Sequence, residues 1–329
     1  FIRSFDAALS GLLKIREDQN EVPNAINFRD GVLHITPTSM KFSEEHSPDD
    51  VFTYCLPFGY KGALRASRHW DAFIKKAIPE DDYRNYVLAS MCNAIALDPM
   101  KAQRMTLLIG VGASGKSTLI DAIRATLGDD NVCSVDDLQN LTKDDSRYRL
   151  SLASSILCTC GDASGNIGNK DVLKQIISKE ELAARQLYKE IEYFKPRASL
   201  IVASNEMGFT HALGDSGISR RVDIIEFRHP VAEEDRDPLL SEKLKQPNEQ
   251  RKMVMDMIEA LREQQRTGRL ERPERMKIVL DELRYNGDTF LSFVSHAGLD
   301  FVTTPEDPDE SRFERVHQDD LLQAYQVFA

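Results

Sequence analysis

The sequence predicts an α/β protein: a parallel sheet wrapped by helices, with a small hairpin and helices ahead of it and a charged helical region behind. Three observations carry this. A short apolar run at 105–109 enters a glycine-rich loop, and a helical run at 119–127 follows, closed by Gly128. Apolar runs at 155–160, 198–204 and 222–227 are interleaved with a helical segment at 169–178, and strands alternating with helices after such a loop read as a parallel sheet. Residues 24–35 hold two strand-like pieces around Asp30-Gly31, a hairpin signal.

Taken in order, the hairpin is followed by a polar, irregular stretch at 36–57 that contains Ser47-Pro48-Asp49-Asp50. Helical periodicity appears at 68–78 and 81–96, broken at Pro79 and ended by Asp98-Pro99. Within the α/β part a hairpin is expected at 186–197, and the strand at 222–227 is bounded by Arg228-His229-Pro230. Beyond Pro230 the chain reads as charged helix, notably 248–266, then an acidic loop at 303–311 and a last helix from 318. Three regions are expected: a hairpin and helical collar over 1–98, the α/β core over 99–229, and a helical or winged-helix-like region over 230–329.

Length and composition narrow the function. A chain of 329 residues can bury a full core. It starts at a phenylalanine and stops inside an expected helix, as a piece of a longer polypeptide would. No apolar run approaches the roughly 20 residues needed to span a bilayer, so no membrane partner is expected. The five cysteines, Cys55, Cys92, Cys133, Cys158 and Cys160, lack the Cys/His spacing of a zinc site and fit a reducing compartment. Cys158 and Cys160 flank Thr159 in an apolar run, the pattern of buried thiols in one strand. A net charge of −11 argues against coating nucleic acid through bulk positive charge. Charge is uneven, however: 231–329 carries 22 acidic and 14 basic residues, whereas 165–200 carries seven basic and five acidic. Contact with a polyanion is therefore expected to be local, in that middle segment.

The loop Gly110-Val111-Gly112-Ala113-Ser114-Gly115-Lys116-Ser117-Thr118 fits G-x-x-x-x-G-K-[ST]. That pattern lets backbone N–H groups cradle the phosphates of a nucleotide. In a nucleotide hydrolase Lys116 would neutralise the β- and γ-phosphates and Ser117 would place its hydroxyl on Mg²⁺. A second acidic group is then needed near a strand end, and Gly161-Asp162 closes the apolar run 156–160, so Asp162 is the candidate; alone it would be an ordinary turn starter. Asn205 ends the next apolar run and could reach the γ-phosphate or the attacking water, or serve only as a turn residue. Arg220-Arg221 is either a solvated surface pair or the source of an arginine supplied in trans to a transferring phosphoryl group.

These segments, with Leu173-Lys174-Gln175-Ile176, Ala184-Arg185-Gln186-Leu187-Tyr188-Lys189, Phe194-Lys195-Pro196 and Val202-Ala203-Ser204-Asn205, resemble superfamily 3 helicases. The likeness is to the phage, plasmid and poxvirus primase–helicase family, whose modules often follow a primase or primase–polymerase domain. It extends upstream to Asn27-Phe28-Arg29-Asp30-Gly31-Val32-Leu33, which looks like that family's hairpin, and fades beyond 230. The resemblance implies an AAA+-type P-loop ATPase core using ATP and Mg²⁺, with Gly110 to Thr118 as the ATP loop and Ser117 and Asp162 at the metal. It further implies Asn205 as sensor and Arg220 or Arg221 as the finger acting across a homo-oligomer, a hexamer by analogy. A DNA hairpin is implied at 185–194, where Lys189 beside Tyr188 suits single-stranded DNA and Arg185 suits either DNA or the nucleotide interface; an exposed Tyr-Lys turn with no partner is the alternative. The implied activity is ATP-dependent translocation on single-stranded DNA with duplex unwinding, in replication of a virus or mobile element in the host cytoplasm. One departure stands out: relatives commonly carry a glutamate where this chain has Gly161-Asp162, which leaves slow hydrolysis or a different base open. The rival readings are an AAA+ protein remodeler or helicase loader, a small-molecule P-loop kinase, and a non-catalytic oligomeric platform.

Overall fold

The computed structural model describes residues 24–46, 52, 54–62, 67–143, 148–161, 163, 166–185, 191–204 and 213–287. Strands β1 (Ala25–Phe28), β2 (Gly31–Ile35) and β3 (Met40–Ser43) form an antiparallel sheet in that order. The first pair closes through Arg29-Asp30, with Phe28 opposite Gly31, a hairpin where the sequence predicts one, its turn one residue ahead of Asp30-Gly31. Strand β3 falls in the stretch expected to be irregular. It is a half-exposed edge, Met-Lys-Phe-Ser, and only Met40 and Phe42 reach the core, so its apolar content is too low to stand out.

Helices α1 (His69–Ala77) and α2 (Asp81–Ile95) follow, separated at Pro79 as expected. Trp70 of α1 is fully buried, and its indole N–H donates to Asp256 at 2.9 Å.

The central part runs β4 (Met105–Ile109), α3 (Lys116–Leu127), β5 (Val132–Val135), α4 (Gln139–Thr142), α5 (Ser151–Ser154), β6 (Leu157–Cys160), α6 (Lys170–Ile177), β7 (Leu182–Arg185), β8 (Ile191–Phe194), β9 (Ser199–Ser204), α7 (Ser216–Ser219) and β10 (Val222–Glu226). Helices α8 (Leu240–Leu244), α9 (Pro247–Gln264) and α10 (Glu274–Gly287) complete the described chain. Five strands pair in parallel in the order β10-β4-β9-β6-β5. The fold is thus mixed α/β with a parallel sheet.

Alternation along these strands divides the core in two. Leu108, Ile201, Ala203 and Ile225 face one side, packing with α2, α3 and α9. Leu107, Leu200, Val202 and Ile224 face the other, packing with α6 and α10. Burial on both faces is why these strands read as continuous apolar runs. Helix α9 buries Gln250, Met253, Val254, Met257, Ile258 and Leu261 at helical spacing, and it lies against α1 and α2.

The hairpin expected at 186–197 is formed instead by β7 and β8, with Leu182 opposite Phe194 and Arg185 opposite Ile191. Leu182 and Ala184 are both buried on the first arm; small alanines hid this arm's period-two pattern. Strand β5 was not anticipated: it has four residues, too few for a pattern. Helix α10 lies in the region expected to be charged helix and buries Met276, Val279, Leu280 and Leu283. The expected last helix from 318 lies outside the described residues.

Candidate functional site

The loop joining β4 to α3 sits at the C-terminal end of a central strand, where open parallel sheets bind ligands. Its backbone leaves little choice of residue. Gly110 has φ +146°, and a Cβ there would lie 2.3 Å from the Phe227 carbonyl oxygen. Gly115 has φ +102°, and a Cβ would meet the Phe73 ring at 3.0 Å. Ala113 is held at φ +61°, a strained value for a residue with a Cβ. The loop is tied to the segment after β10: the Phe227 N–H donates to the Ile109 carbonyl at 2.8 Å and the Val231 N–H to the Ala113 carbonyl at 3.1 Å. Ser114 Oγ donates to the Val111 carbonyl at 2.8 Å.

Lys116 is buried, and its ammonium donates to the carbonyls of Gly110 at 2.6 Å and Val111 at 3.0 Å. The charge is therefore held inside the loop's curve. Ser117 is exposed at the first turn of α3, which carries no side-chain cap and no acidic residue. Uncapped N–H groups and the helix dipole favour an anion at that end. Nothing lies within 4 Å of a Cβ built on Gly112, so the concave side is open. These residues fit a phosphate group.

Positions 162 and 205 follow the C-terminal ends of β6 and β9, the same edge of the sheet as the loop. Asp162 and Asn205 themselves lie outside the described residues. Their neighbours are joined: the Ala163 N–H donates to the Ala203 carbonyl at 2.9 Å, and Ser204 Oγ donates to the Ala163 carbonyl at 3.0 Å. Among the described residues no group of three His, Cys, Asp or Glu side chains could hold a metal ion.

Arg220 and Arg221 precede β10, at the opposite edge. Val222 pairs with Met105 and Glu226 with Ile109, so the length of β4, roughly 13 Å at 3.3 Å per residue, separates them from the loop. The two arginines differ. Arg221 is half-buried, donating Nε to Ser178 Oγ at 2.9 Å and a guanidinium nitrogen to the Gly217 carbonyl at 2.9 Å. Arg220 is exposed. Its carbonyl accepts from Arg272 at 2.8 Å, and the same guanidinium bonds the Val222 carbonyl at 2.9 Å and the Asp223 carboxylate at 2.8 Å.

Asp223 is the hub of this edge, with a side chain only 1% exposed. It also accepts from Tyr86 at 2.9 Å and Ser90 at 3.2 Å, and Arg104 stands 3.6 Å away. Burial and the neighbouring Asp223 charge keep the Tyr86 phenol neutral by raising its pKa. Arg272 was not among the expected residues; the one signal was Asp223 itself, an acid inside an apolar strand. Tyr193, on β8, was also missed and is 70% exposed. Of the expected DNA contacts, Arg185 ends β7, while Tyr188 and Lys189 lie outside the described residues.

The fold and this loop define a class: a parallel-sheet α/β protein with a candidate phosphate-binding loop at the C-terminal end of a central strand. Residues 12–79 match the D5 N terminal like family, and 108–221 match a family of unknown function (DUF5906). The chain is 28% identical over 215 residues to "Putative helicase L207/L206" of Acanthamoeba polyphaga mimivirus, a stretch covering 61% of this chain and 21% of that protein. The chain thus corresponds to about one fifth of that relative's length. It is similar in fold to the apo structure of the NrS-1 C terminal region (305-718), with a TM-score of 0.53 and 13% identity over 82% of this chain and 76% of that one. A second form, the A form apo structure of the same region, gives a TM-score of 0.49 and 14% identity over 68% of this chain and 53% of that one. These matches make the chain similar to a viral putative helicase over part of its length and to the D5 N terminal like family at its N-terminal end. Among the described residues no helix is long and apolar enough to cross a membrane.

Proposed function

We propose that this chain is the motor of an ATP-dependent, ring-forming helicase that translocates on single-stranded DNA during replication of a phage, virus or mobile element. Its α/β core is of the AAA+ type. One observation carries the reading furthest: Arg220 is exposed at the edge of the sheet opposite the loop of its own chain. A strand length of roughly 13 Å exceeds an arginine's reach, so Arg220 serves a nucleotide only across a boundary between copies. Arg221, engaged with Ser178 and Gly217, braces the turn that presents it. The helicase name of the mimivirus relative supports the same activity.

The parts then have assigned work. The ammonium of Lys116 exchanges its two loop carbonyls for β- and γ-phosphate oxygens of ATP. Ser117 and Asp162 would hold Mg²⁺, which would supply charge neutralisation at the phosphates. Asp162 and Asn205, beyond the tips of neighbouring strands, orient the attacking water, and Arg220 of the next copy stabilises the charge on the transferring group. The β7–β8 hairpin carries Arg185, Tyr188 and Lys189 to the DNA strand, and hydrolysis moves it by changing the boundary between copies.

The test is ATP turnover and strand displacement, with and without single-stranded DNA. DNA-stimulated turnover that Lys116→Ala abolishes is the expected result. Arg220→Ala should also be inactive, and mixing it with Lys116→Ala should restore part of the activity, whereas Arg221→Ala should lose stability as well. Full-rate turnover by a lone subunit under every nucleotide and DNA condition would refute the proposal.

A further inference from the structure

The N-terminal edge of the sheet holds a cavity of about 20 Å³, lined in part by Asn93, Asp98, Arg104, Thr106, Lys179 and Ser199. That is room for a single water or one terminal oxygen of a larger group. The ammonium of Lys179 is buried here and has no hydrogen-bond partner among the described residues. Asp98 and Arg104 beside it are occupied elsewhere. Asp98 accepts from Asn93 at 2.6 Å and from the N–H groups of Ala102 and Gln103 at 2.8 and 2.9 Å. Arg104 donates to the Tyr86 hydroxyl at 2.7 Å and the Leu270 carbonyl at 3.2 Å.

The backbone at this lysine is also unusual. Lys179 follows α6 just past its C-cap Ser178, with φ +55°, a left-handed position that glycine or asparagine fills at helix ends without strain. A lysine there carries backbone strain as well as an unpartnered buried charge, and neither stabilises the fold. Burial lowers its pKa to about 8, with Asp98 opposing and Arg197 adding to the drop. It is thus mainly protonated at neutral pH.

We propose that this cavity is an oxyanion site, in which Lys179 takes one oxygen of a phosphoryl group that comes from outside its own nucleotide loop. That loop lies at the opposite edge of the sheet. The Lys179 turn is joined to the arginine turn, because Ser178 accepts from Arg221 at 2.9 Å. Two sources share this chemistry: the nucleotide on a second copy, which rests on the ring reading above, and free inorganic phosphate.

Two arms separate them. In the first, the Lys116→Ala chain is melted in sodium phosphate and in sodium chloride of equal ionic strength. Phosphate should raise Tm by about 2–4 °C when it exceeds its dissociation constant roughly tenfold, and the Lys116→Ala, Lys179→Met double variant should lose that rise. No phosphate-specific rise, or the same rise in the double variant, overturns the proposal. So does a lower Tm for Lys179→Met in chloride alone, which marks a structural lysine. In the second arm, Lys179→Met in the otherwise unaltered chain should cut ATP turnover about tenfold while nucleotide affinity stays within about twofold, a loss of about 1.4 kcal/mol confined to the transition state. Partial recovery on mixing with Lys116→Ala identifies the second copy as the source. No recovery beside an intact phosphate response identifies free phosphate. A chain with no ATP turnover at all refutes the ring reading, and the phosphate arm still decides the cavity.

Discussion

Replacing Asp223 by alanine tests the edge that presents Arg220. Its carboxylate is 1% exposed and faces Arg272 at 2.8 Å and Arg104 at 3.6 Å, whose side chains are 13% and 21% exposed. Removing it strands two largely buried guanidinium groups and takes the acceptor from Tyr86 and Ser90. Breaking a buried pair from one side costs about 3–5 kcal/mol. Partial access of water to both arginines argues for the lower end, about 3 kcal/mol. Urea unfolding followed by fluorescence suits the measurement, because Trp70 is the one tryptophan of the sequence and is fully buried. The midpoint should fall with the slope unchanged. A cycle with Arg272→Ala should show a coupling of about 1–3 kcal/mol, since the two side chains share one bond network. The double variant should be little worse than either single one. A loss below about 1 kcal/mol for Asp223→Ala, or additive losses, would refute the assignment of Asp223 as the counter-charge that holds this edge.

Other expected outcomes follow from single positions. Gly110→Ala forces a Cβ against the Phe227 carbonyl at φ +146°, and should cost about 2 kcal/mol or more and abolish nucleotide binding. Gly112→Ala meets nothing within 4 Å and should stay within about 0.5 kcal/mol of the parent in urea unfolding; equal losses at the two glycines would contradict the loop geometry. Tyr193→Ala removes a ring that is 70% exposed. It should leave stability unchanged while weakening single-stranded DNA binding by about 1–3 kcal/mol, and unaltered affinity would take that hairpin arm away from DNA. The pKa of the Cys133 thiol is lowered, chiefly by interaction with Cys158, its cross-strand partner. Iodoacetamide at about pH 6.5 should therefore label Cys133 ahead of the exposed Cys55, because the thiolate is the nucleophile. Buried Cys92, whose thiol is pushed up by burial, should label only on unfolding.

Much of this molecule is written locally in the chain. The strand–loop–helix at 105–127 was legible because tight backbone turns demand Gly110 and Gly115 and because an apolar strand must precede them. The strands at Ser199–Ser204 and Val222–Glu226 were legible because burial on both faces makes them continuous apolar runs. Short or mixed elements were not: β5 has four residues and β3 only two that pack inward. The hairpin arm Leu182–Arg185 was not legible because alanine carries almost no pattern.

Tertiary structure alone decided where these pieces meet. Parallel pairing in the order β10-β4-β9-β6-β5 sends the loop to one edge of the sheet and Arg220 to the other. It also brings Arg272, some fifty residues on, to the carbonyl of Arg220 and the carboxylate of Asp223. The fold also sets the Lys179 ammonium at a cavity where it has no hydrogen-bond partner among the described residues. Backbone conformation depends on a residue and its near neighbours, so sequence determines it directly. The pairing of buried charges depends on which distant surfaces exclude water together, and the folded chain settles that.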